Sequence, residues 1–274
     1  MRYYKPTTSS RRFKTMPVAH LPQKPFSALT KPLKSHGGRN NLGRITMRFR
    51  GGGEKRRLRL IDFKRDKWDV TGVIKTVEYD PVRSCGISLV EYEDGEKRYI
   101  LHPEGLLQGR SVISSRGKVP LKTGNAMPLS FIPGGTFIHN VELVPGCGGK
   151  IARSAAGYVV IMSKDEKYAV LKMPSGEIRK VFVNSLATIG RIDNIEHSGA
   201  VLGNAGANRH RGRRPHVRGT AMNAVDHPHG GGRGRSHGGN VPRSPTGIPA
   251  KGYKTRNKKK ASSRLIISRR KKRK

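Results

Sequence analysis

Gly86-Ile87-Ser88-Leu89-Val90-Glu91-Tyr92, Glu93-Asp94-Gly95-Glu96 and Lys97-Arg98-Tyr99-Ile100-Leu101 follow one another without a break, and this stretch decides the fold. Ile87–Tyr92 and Arg98–Leu101 are short apolar runs, and Asp-Gly between such runs is among the strongest local signals for a β-hairpin. Working outward, Val70–Tyr79 reads as a preceding strand, with Val73, Val77 and Tyr79 expected on one face and a turn at Asp80-Pro81. Ser111–Ser114 and Leu129–Ile132 are further candidates. A second set follows: Thr136–Val144 (Phe137, Val141 and Leu143 on one face, His139 with them), Tyr158–Met162, Tyr168–Lys172, Ile178–Val183 and Leu186–Ile189. Helical periodicity is nearly absent from residues 60–200. Strands at roughly 8–12-residue spacing with turn signals between them mark an antiparallel barrel or sandwich. The set is too large for one small barrel, and Gly124–Met127 is a natural divide. The chain is therefore predicted to be mainly β, with two small barrels at 60–125 and 126–200.

Outside these strands, charge dominates. The 274 residues carry 56 Lys and Arg against 18 Asp and Glu, a formal +38. Residues 1–59 hold 16 basic and one acidic side chain, residues 60–200 hold 19 and 16, and residues 201–274 hold 21 and one. Nearly all the excess flanks an almost neutral centre. Apolar residues make up 34% of the chain and aromatics 6%, too little for one core throughout. The flanks, 1–59 and 201–274, read as basic extensions that order against a partner. Repulsion on this scale calls for a polyanion, with nucleic acid the leading candidate. No stretch approaches the roughly 20 continuous apolar residues of a spanning helix, so no membrane partner is expected. Met1-Arg2-Tyr3-Tyr4-Lys5-Pro6 leads into no apolar signal region. Cys85 and Cys147 stand alone with no CxxC pair, which points to a reducing compartment, the cytoplasm or an organelle interior.

Two glycine-rich basic segments carry the candidate chemistry. The first is Arg48-Phe49-Arg50-Gly51-Gly52-Gly53-Glu54-Lys55-Arg56-Arg57. No Gly-Lys-Ser/Thr follows, so it is not a phosphate-binding P-loop. It is predicted as a tight turn against a phosphate backbone with Arg48, Arg50, Arg56 and Arg57 directed outward, the plainer alternative being a flexible linker. The second segment carries Arg209, Arg211, Arg213, Arg214 and Arg218, and continues through Asp226-His227-Pro228-His229-Gly230-Gly231-Gly232-Arg233-Gly234-Arg235. Glycine permits close backbone approach and proline blocks helix and strand. Arginines on such a chain can follow an irregular RNA surface and fork onto its phosphates. A solvated tail is the plain alternative, outweighed by the charge.

Asp226, His227, His229 and His237 match no standard zinc spacing and have no cysteine nearby, so neither a metal nor a protein-bound cofactor is expected. His229 would suit general acid–base chemistry, yet no nucleophile or orienting carboxylate lies at a recognisable spacing, and no catalytic residue is assigned. Arg83 and Arg153 lie in loop settings that these arguments cannot separate from those of Arg110 or Arg191. Aromatics are sparse in both flanks, which favours recognition of shape and phosphate in structured RNA over stacking on single strands. Duplex DNA stays open at this point, as does an enzyme centred on His229.

A series of motifs then occurs in order: Gly37-Gly38-Arg39-Asn40-Asn41, Arg50-Gly51-Gly52-Gly53, Ile61-Asp62-Phe63-Lys64-Arg65, Glu78-Tyr79-Asp80-Pro81, Gly95–Leu101, Ile151-Ala152-Arg153-Ser154-Ala155, Arg218–Asn223 and Val225–Gly232. Together they resemble the bacterial-type L-two family of the large ribosomal subunit over roughly residues 30–274. DHPHGGG within an arginine-rich segment is the most specific of them. The resemblance implies an OB-fold barrel followed by an SH3-like barrel. It also implies binding to large-subunit (23S-type) ribosomal RNA, other ribosomal proteins as neighbours, contact with the small subunit at an intersubunit bridge, and arms running toward the peptidyl-transferase region. It places the chain in cytoplasmic ribosomes, or those of an organelle, with any magnesium belonging to the RNA. Arg83 and Arg153 match positions important for RNA binding in the family, and Arg39, His227 and His229 fall within its motifs, whereas Arg233 and Arg235 follow the last motif and are chosen on charge. His229 matches a histidine discussed in connection with peptidyl transfer. The sequence departs from the family pattern at Glu54, where histidine is common, at Ala224, where proline usually precedes Val-Asp, and at Arg233, where glutamate is common.

Overall fold

The computed structural model describes residues 1–17, 24–234, 240–257 and 259–270. The chain divides into two compact units. One comprises residues 1–34, 55–205 and 264–274, and the other 35–54 and 206–263.

The hairpin forms as its sequence dictates. Gly86–Tyr92 and Lys97–Leu101 pair antiparallel from Ile87↔Leu101 to Glu91↔Lys97, with Gly95 at φ +80°, a left-handed turn conformation that glycine adopts without steric cost. Gly72–Tyr79 pairs on the other edge of Gly86–Tyr92, and Ser111–Val112 completes a four-stranded antiparallel sheet. The inward face of Gly72–Tyr79 differs from the expectation. Val73 and Tyr79 are exposed, and the buried positions are Gly72, Ile74 and Glu78. A bulge shifts the pairing register between Ile74 and Thr76, while the buried positions on its two sides keep one alternation. Glu78 can be buried because the Tyr99 hydroxyl donates to it at 2.8 Å and the Thr76 hydroxyl at 2.8 Å. Gly72 lies so close to Val90 that a Cβ would fall 2.4 Å from its Cγ1.

The chain crosses to the second sheet where Ser114 bridges Ala126 in parallel. That sheet has seven strands in the order Ile266–Ser268, Ile178–Phe182, Tyr168–Lys172, Val159–Lys164, Phe137–His139, Leu186–Ile189 and Ala126–Pro128. Tyr168–Lys172 and Leu186–Ile189 have the predicted bounds. Leu129–Ile132 is not a strand: Leu129–Phe131 forms a 3-10 turn, which still buries Leu129 and Ile132. Thr136–Val144 is not continuous either. Asn140 adopts φ +49° and splits it into Phe137–His139 and Val141–Glu142, and the latter pairs with Gly149–Ile151. Phe137 is consequently exposed and sits edge-on to Tyr158 at 4.9 Å, while Ile138 takes the core position. The two antiparallel sheets fit an OB-fold barrel followed by an SH3-like barrel, in a chain that is mainly β.

His139 is buried in the second sheet with Nδ1 at 2.9 Å from the Gly190 carbonyl, and burial depresses its pKa to about 4. The unfolded chain, near 6.5, then takes up a proton that the folded state refuses. Stability is complete above about pH 6.5 and falls as the pH drops toward 4, by up to about 3 kcal/mol. Urea unfolding at pH 7.0 and 5.0 should show this loss, and His139→Gln should flatten it; an unchanged pH dependence in the variant would assign the loss to other groups.

The flanks also contribute strands to this unit. Thr30–Leu33 pairs with Arg56–Arg59, Arg2–Tyr3 with Thr15–Met16, and Ile266–Ser268 with Ile178–Arg179. In the other unit, Arg50 bridges Arg213, and the amides of Gly51 and Arg214 donate to the carbonyls of Gly212 and Phe49, each at 3.0 Å. Short helical turns at Ala205–His210 and Gly219–Ala221 are the regular elements nearest its arginines.

Candidate nucleic-acid interface

The motif Ile61-Asp62-Phe63-Lys64-Arg65 is a built turn. The Asp62 carboxylate accepts from the amides of Lys64 (3.0 Å) and Arg65 (2.7 Å). Arg65 turns back at φ +54° and is buried, donating from Nε to the Ser114 hydroxyl and from Nη2 to the Gly124 carbonyl. Phe63 is held by its carbonyl, which accepts from the Gly149 amide at 2.8 Å and the Asn140 side-chain amide at 3.3 Å. The Gly148–Gly149 segment is fixed in turn by buried Glu142, whose carboxylate accepts from the amides of Gly146, Gly148 and Leu186.

This scaffold brings Arg83 and Arg153 to one ring. Their guanidinium carbons lie 4.8 and 4.4 Å from the Phe63 centroid, within cation–π range. Arg83 comes from the Asp80-Pro81 turn, where buried Asp80 accepts from the Val82 amide and stands 3.3 Å from Arg83 Nε without hydrogen-bond alignment. Arg153 follows Ala152, at φ +51°, and donates to the Gly149 carbonyl. Desolvation first, then the like charge of Arg83, lowers the Arg153 pKa from its ordinary value. Two guanidiniums gathered at one ring leave donors free for an anion. Arg98 is different: Asp62, Asp66 and Glu96 all bond it, at 3.0, 2.5 and 2.6 Å, so its charge is already met. Beside Phe63 opens a depression of about 790 Å³ that Lys64, Lys150 and Arg153 also line.

Of the other predicted residues, Arg56 and Arg57 lie exposed on the strand Arg56–Arg59. Arg39, Arg48, Arg50, Arg211, Arg213, Arg214, Arg218 and Arg233 are exposed in the second unit, whereas Arg209 is half-buried and its Nη1 is buried without a partner. Arg235 and His237 lie outside the described residues. Glu54, the departure from the family pattern, stands 3.0 Å from His210 Nδ1. His227 is buried and its Nδ1 accepts from the His229 amide at 3.0 Å, while His229 Nε2 accepts from the Arg243 amide at 2.8 Å. Both rings thus act as acceptors that tie down backbone. Among the described residues, no group of three or more His, Cys, Asp or Glu side chains gathers to hold a metal, and no helix is long and apolar enough to cross a membrane. Cys85 is no ready nucleophile, because burial pushes its thiol up to about 12.

Sequence reading missed the aromatic half of this surface. Phe63 carries no signal of its own in a run of charged residues. Arg191 rests over Tyr158 at 5.3 Å, Arg116 over Trp68 at 5.0 Å, and Arg2, Arg11 and Lys14 surround Tyr4 at 4.8–5.6 Å. Arg191 and Tyr158, like Arg116 and Trp68, are more than 30 positions apart, so spacing could not pair them, whereas Arg2 stands two positions from Tyr4.

Small β-barrels bearing aromatic-supported arginines, together with a glycine-rich unit whose arginines are exposed, define a nucleic-acid-binding protein. Comparison with known proteins narrows the class. Residues 26–114 match the family description "Ribosomal Proteins L2, RNA binding N-terminal domain", and residues 122–247 match "Ribosomal Proteins L2, C-terminal domain". The chain is 54% identical over 271 residues to "Large ribosomal subunit protein uL2" of Endomicrobium trichonymphae and 53% identical over 271 residues to the protein of that name from Wolinella succinogenes, each match covering 98% of both chains. The chain belongs to the uL2 family of large ribosomal subunit proteins, which are structural ribosomal proteins and not enzymes.

Proposed function

We propose that this protein is a primary binder of large-subunit, 23S-type ribosomal RNA. In this reading its barrels set the register, and its basic segments stabilise the RNA fold around the peptidyl-transferase region and support association with the small subunit at an intersubunit bridge. Other ribosomal proteins are its neighbours, and its setting is the ribosome of the cytoplasm or of an organelle. The RNA-binding residues are Arg39, Arg48, Arg50, Arg56, Arg57, Arg83, Arg153, Arg209, Arg211, Arg213, Arg214, Arg218, His227, His229, Arg233 and Arg235, and the domains run 1–59, 60–125, 126–200 and 201–274. The observation that carries this reading is the pair of guanidiniums on Phe63. Arg153 is held by its bond to the Gly149 carbonyl, Arg83 by its ion pair with buried Asp80, and the ring by bonds to the Phe63 carbonyl, so part of the ordering cost is met before any ligand arrives. The role proposed for His229 is architectural, because its Nε2 already accepts from the Arg243 amide.

Titration of the full-length protein against a folded large-subunit ribosomal RNA transcript and against duplex DNA, each over a series of salt concentrations, tests the reading. Affinity for both should fall steeply with salt as bound phosphates regain their counterions. RNA should keep an advantage of at least about tenfold throughout, because fixed side chains read its shape. Equal affinity for DNA at every salt concentration would remove the ribosomal RNA reading.

A further inference from the structure

The loop Ser35–Gly52 closes on itself around a depression. Asn40 accepts through Oδ1 from the amides of Leu42 and Arg44, and the Gly38 carbonyl accepts from the amides of Thr46 and Met47. Gly38 sits where a Cβ would lie 2.1 Å from the Met47 carbonyl oxygen, so only glycine permits the closure. Phe49 adopts φ +62°, a conformation costly for an aromatic residue. The strand-like pairing with Gly212–Arg214 holds it there, and its ring lies 4.5 Å from His216 and 5.2 Å from the Arg48 guanidinium. The depression inside has a volume of about 780 Å³, in the range of sites that take small organic ligands.

Its wall has two chemistries. Arg39, Arg48, Arg50 and Arg214 line it with no carboxylate among its lining residues. Ile45 and Met47 also line it, yet are 59% and 56% exposed, which leaves an apolar strip open to water. Guanidiniums gathered without a carboxylate repel one another unless an anion enters, and a phosphate alone would not use the apolar strip. A flat heteroaromatic ring carrying a phosphate satisfies both.

We infer that this depression takes a single unpaired nucleotide of the RNA, its phosphates on the arginines and its base against Ile45, Met47 and the edge of Phe49. This rests on the RNA-binding reading and gives that surface a specific substrate: a nucleotide extruded from a helix. A continuous duplex offers the arginines phosphates but leaves the apolar strip wet.

The test uses full-length protein and four probes, measured with excess paired duplex as competitor: an RNA duplex with one bulged adenosine, the fully paired duplex, the same duplex with an abasic bulge, and adenosine monophosphate. The bulged duplex should bind about tenfold tighter than the paired one, the scale of one base stacked on a protein surface. The abasic bulge should bind like the paired duplex. Ile45→Ser with Met47→Ser should abolish the preference and leave paired-duplex affinity unchanged. Both side chains are exposed, so folding does not confound the comparison. Equal affinity for bulged and paired duplex, undiminished affinity for the abasic bulge, or a retained preference in the variant would overturn the inference while leaving RNA binding intact. Binding of adenosine monophosphate as tight as that of the bulged RNA would replace it with a free-nucleotide site. Failure of every RNA probe to bind would remove both this inference and the reading beneath it.

Discussion

Full-length protein carrying Arg83→Gln and Arg153→Gln together binds a large-subunit ribosomal RNA transcript at least about a hundredfold more weakly than the wild type, since a hydrogen bond to a charged group is worth about 1.5–3 kcal/mol and two are removed. Both side chains are only partly buried, but Arg83→Gln leaves the buried Asp80 carboxylate without the guanidinium 3.3 Å away, so the affinity is read at a temperature where circular dichroism shows the variant folded. Glutamine retains a donor for the Gly149 carbonyl that Arg153 serves. The slope of affinity against salt should fall by about two, one for each phosphate that the variant no longer neutralises. Arg98→Gln is the informative control. It removes a guanidinium of the same barrel, but one already bonded by Asp62, Asp66 and Glu96. That variant should lose stability while keeping the salt slope. Filter binding or fluorescence anisotropy over a salt series reads all three proteins. A double variant within threefold of wild type would show that the Phe63 surface is not where the RNA lands.

That contrast marks where sequence stops being informative. The hairpin Gly86–Leu101 is local, with its turn and both strands inside sixteen residues, and alternation with Asp94-Gly95 suffices to find it. The strand Gly72–Tyr79 is found, but its inward face is not: Gly72 is buried by close packing on Val90 and Glu78 by its hydrogen bonds, and neither residue type announces a core position. Thr136–Val144 hides its break at Asn140 for the same reason, since asparagine tolerates the left-handed region yet also sits in strands. Of the interface, the arginine-rich segments are legible as composition. The choice of Arg83 and Arg153 over Arg110 and Arg191 is not legible from the residues, because it depends on Phe63, some 20 and 90 positions away along the chain. Family resemblance picks out the two arginines and holds Phe63 in a motif, but nothing in it sets the ring beneath them. Even then Arg191 finds a ring of its own in Tyr158, a pairing that no spacing rule anticipates.

The glycines of Asp226–Gly232 decide more than its histidines do. Gly230 packs so that a Cβ would lie 2.1 Å from the Asn223 carbonyl oxygen and 2.7 Å from that of Met222, and a Cβ on Gly219 would enter the His227 ring at 2.4 Å. Backbone on both sides cannot yield, so Gly230→Ala dismantles the turn without changing a charge. Its expected outcome is loss of amide protection at Gly230 and Gly231, which donate to the carbonyls of His227 and Met222, and a fall of about tenfold or more in the yield of particles active in peptide transfer, the effect of misplacing a positioned segment by an ångström or so. His229→Gln makes the opposite case. The glutamine carbonyl can accept from the Arg243 amide in place of His229 Nε2, so reconstituted particles should retain peptide transfer within a few-fold. A general acid–base group would cost about a hundredfold to ten-thousandfold when removed. Loss on that scale in His229→Gln particles, with RNA binding and particle yield unchanged, would mean the imidazole itself takes part in the reaction. Near-normal transfer, beside failure of the glycine variant, makes the motif a backbone device whose histidines fasten a loop that its glycines allow to fold.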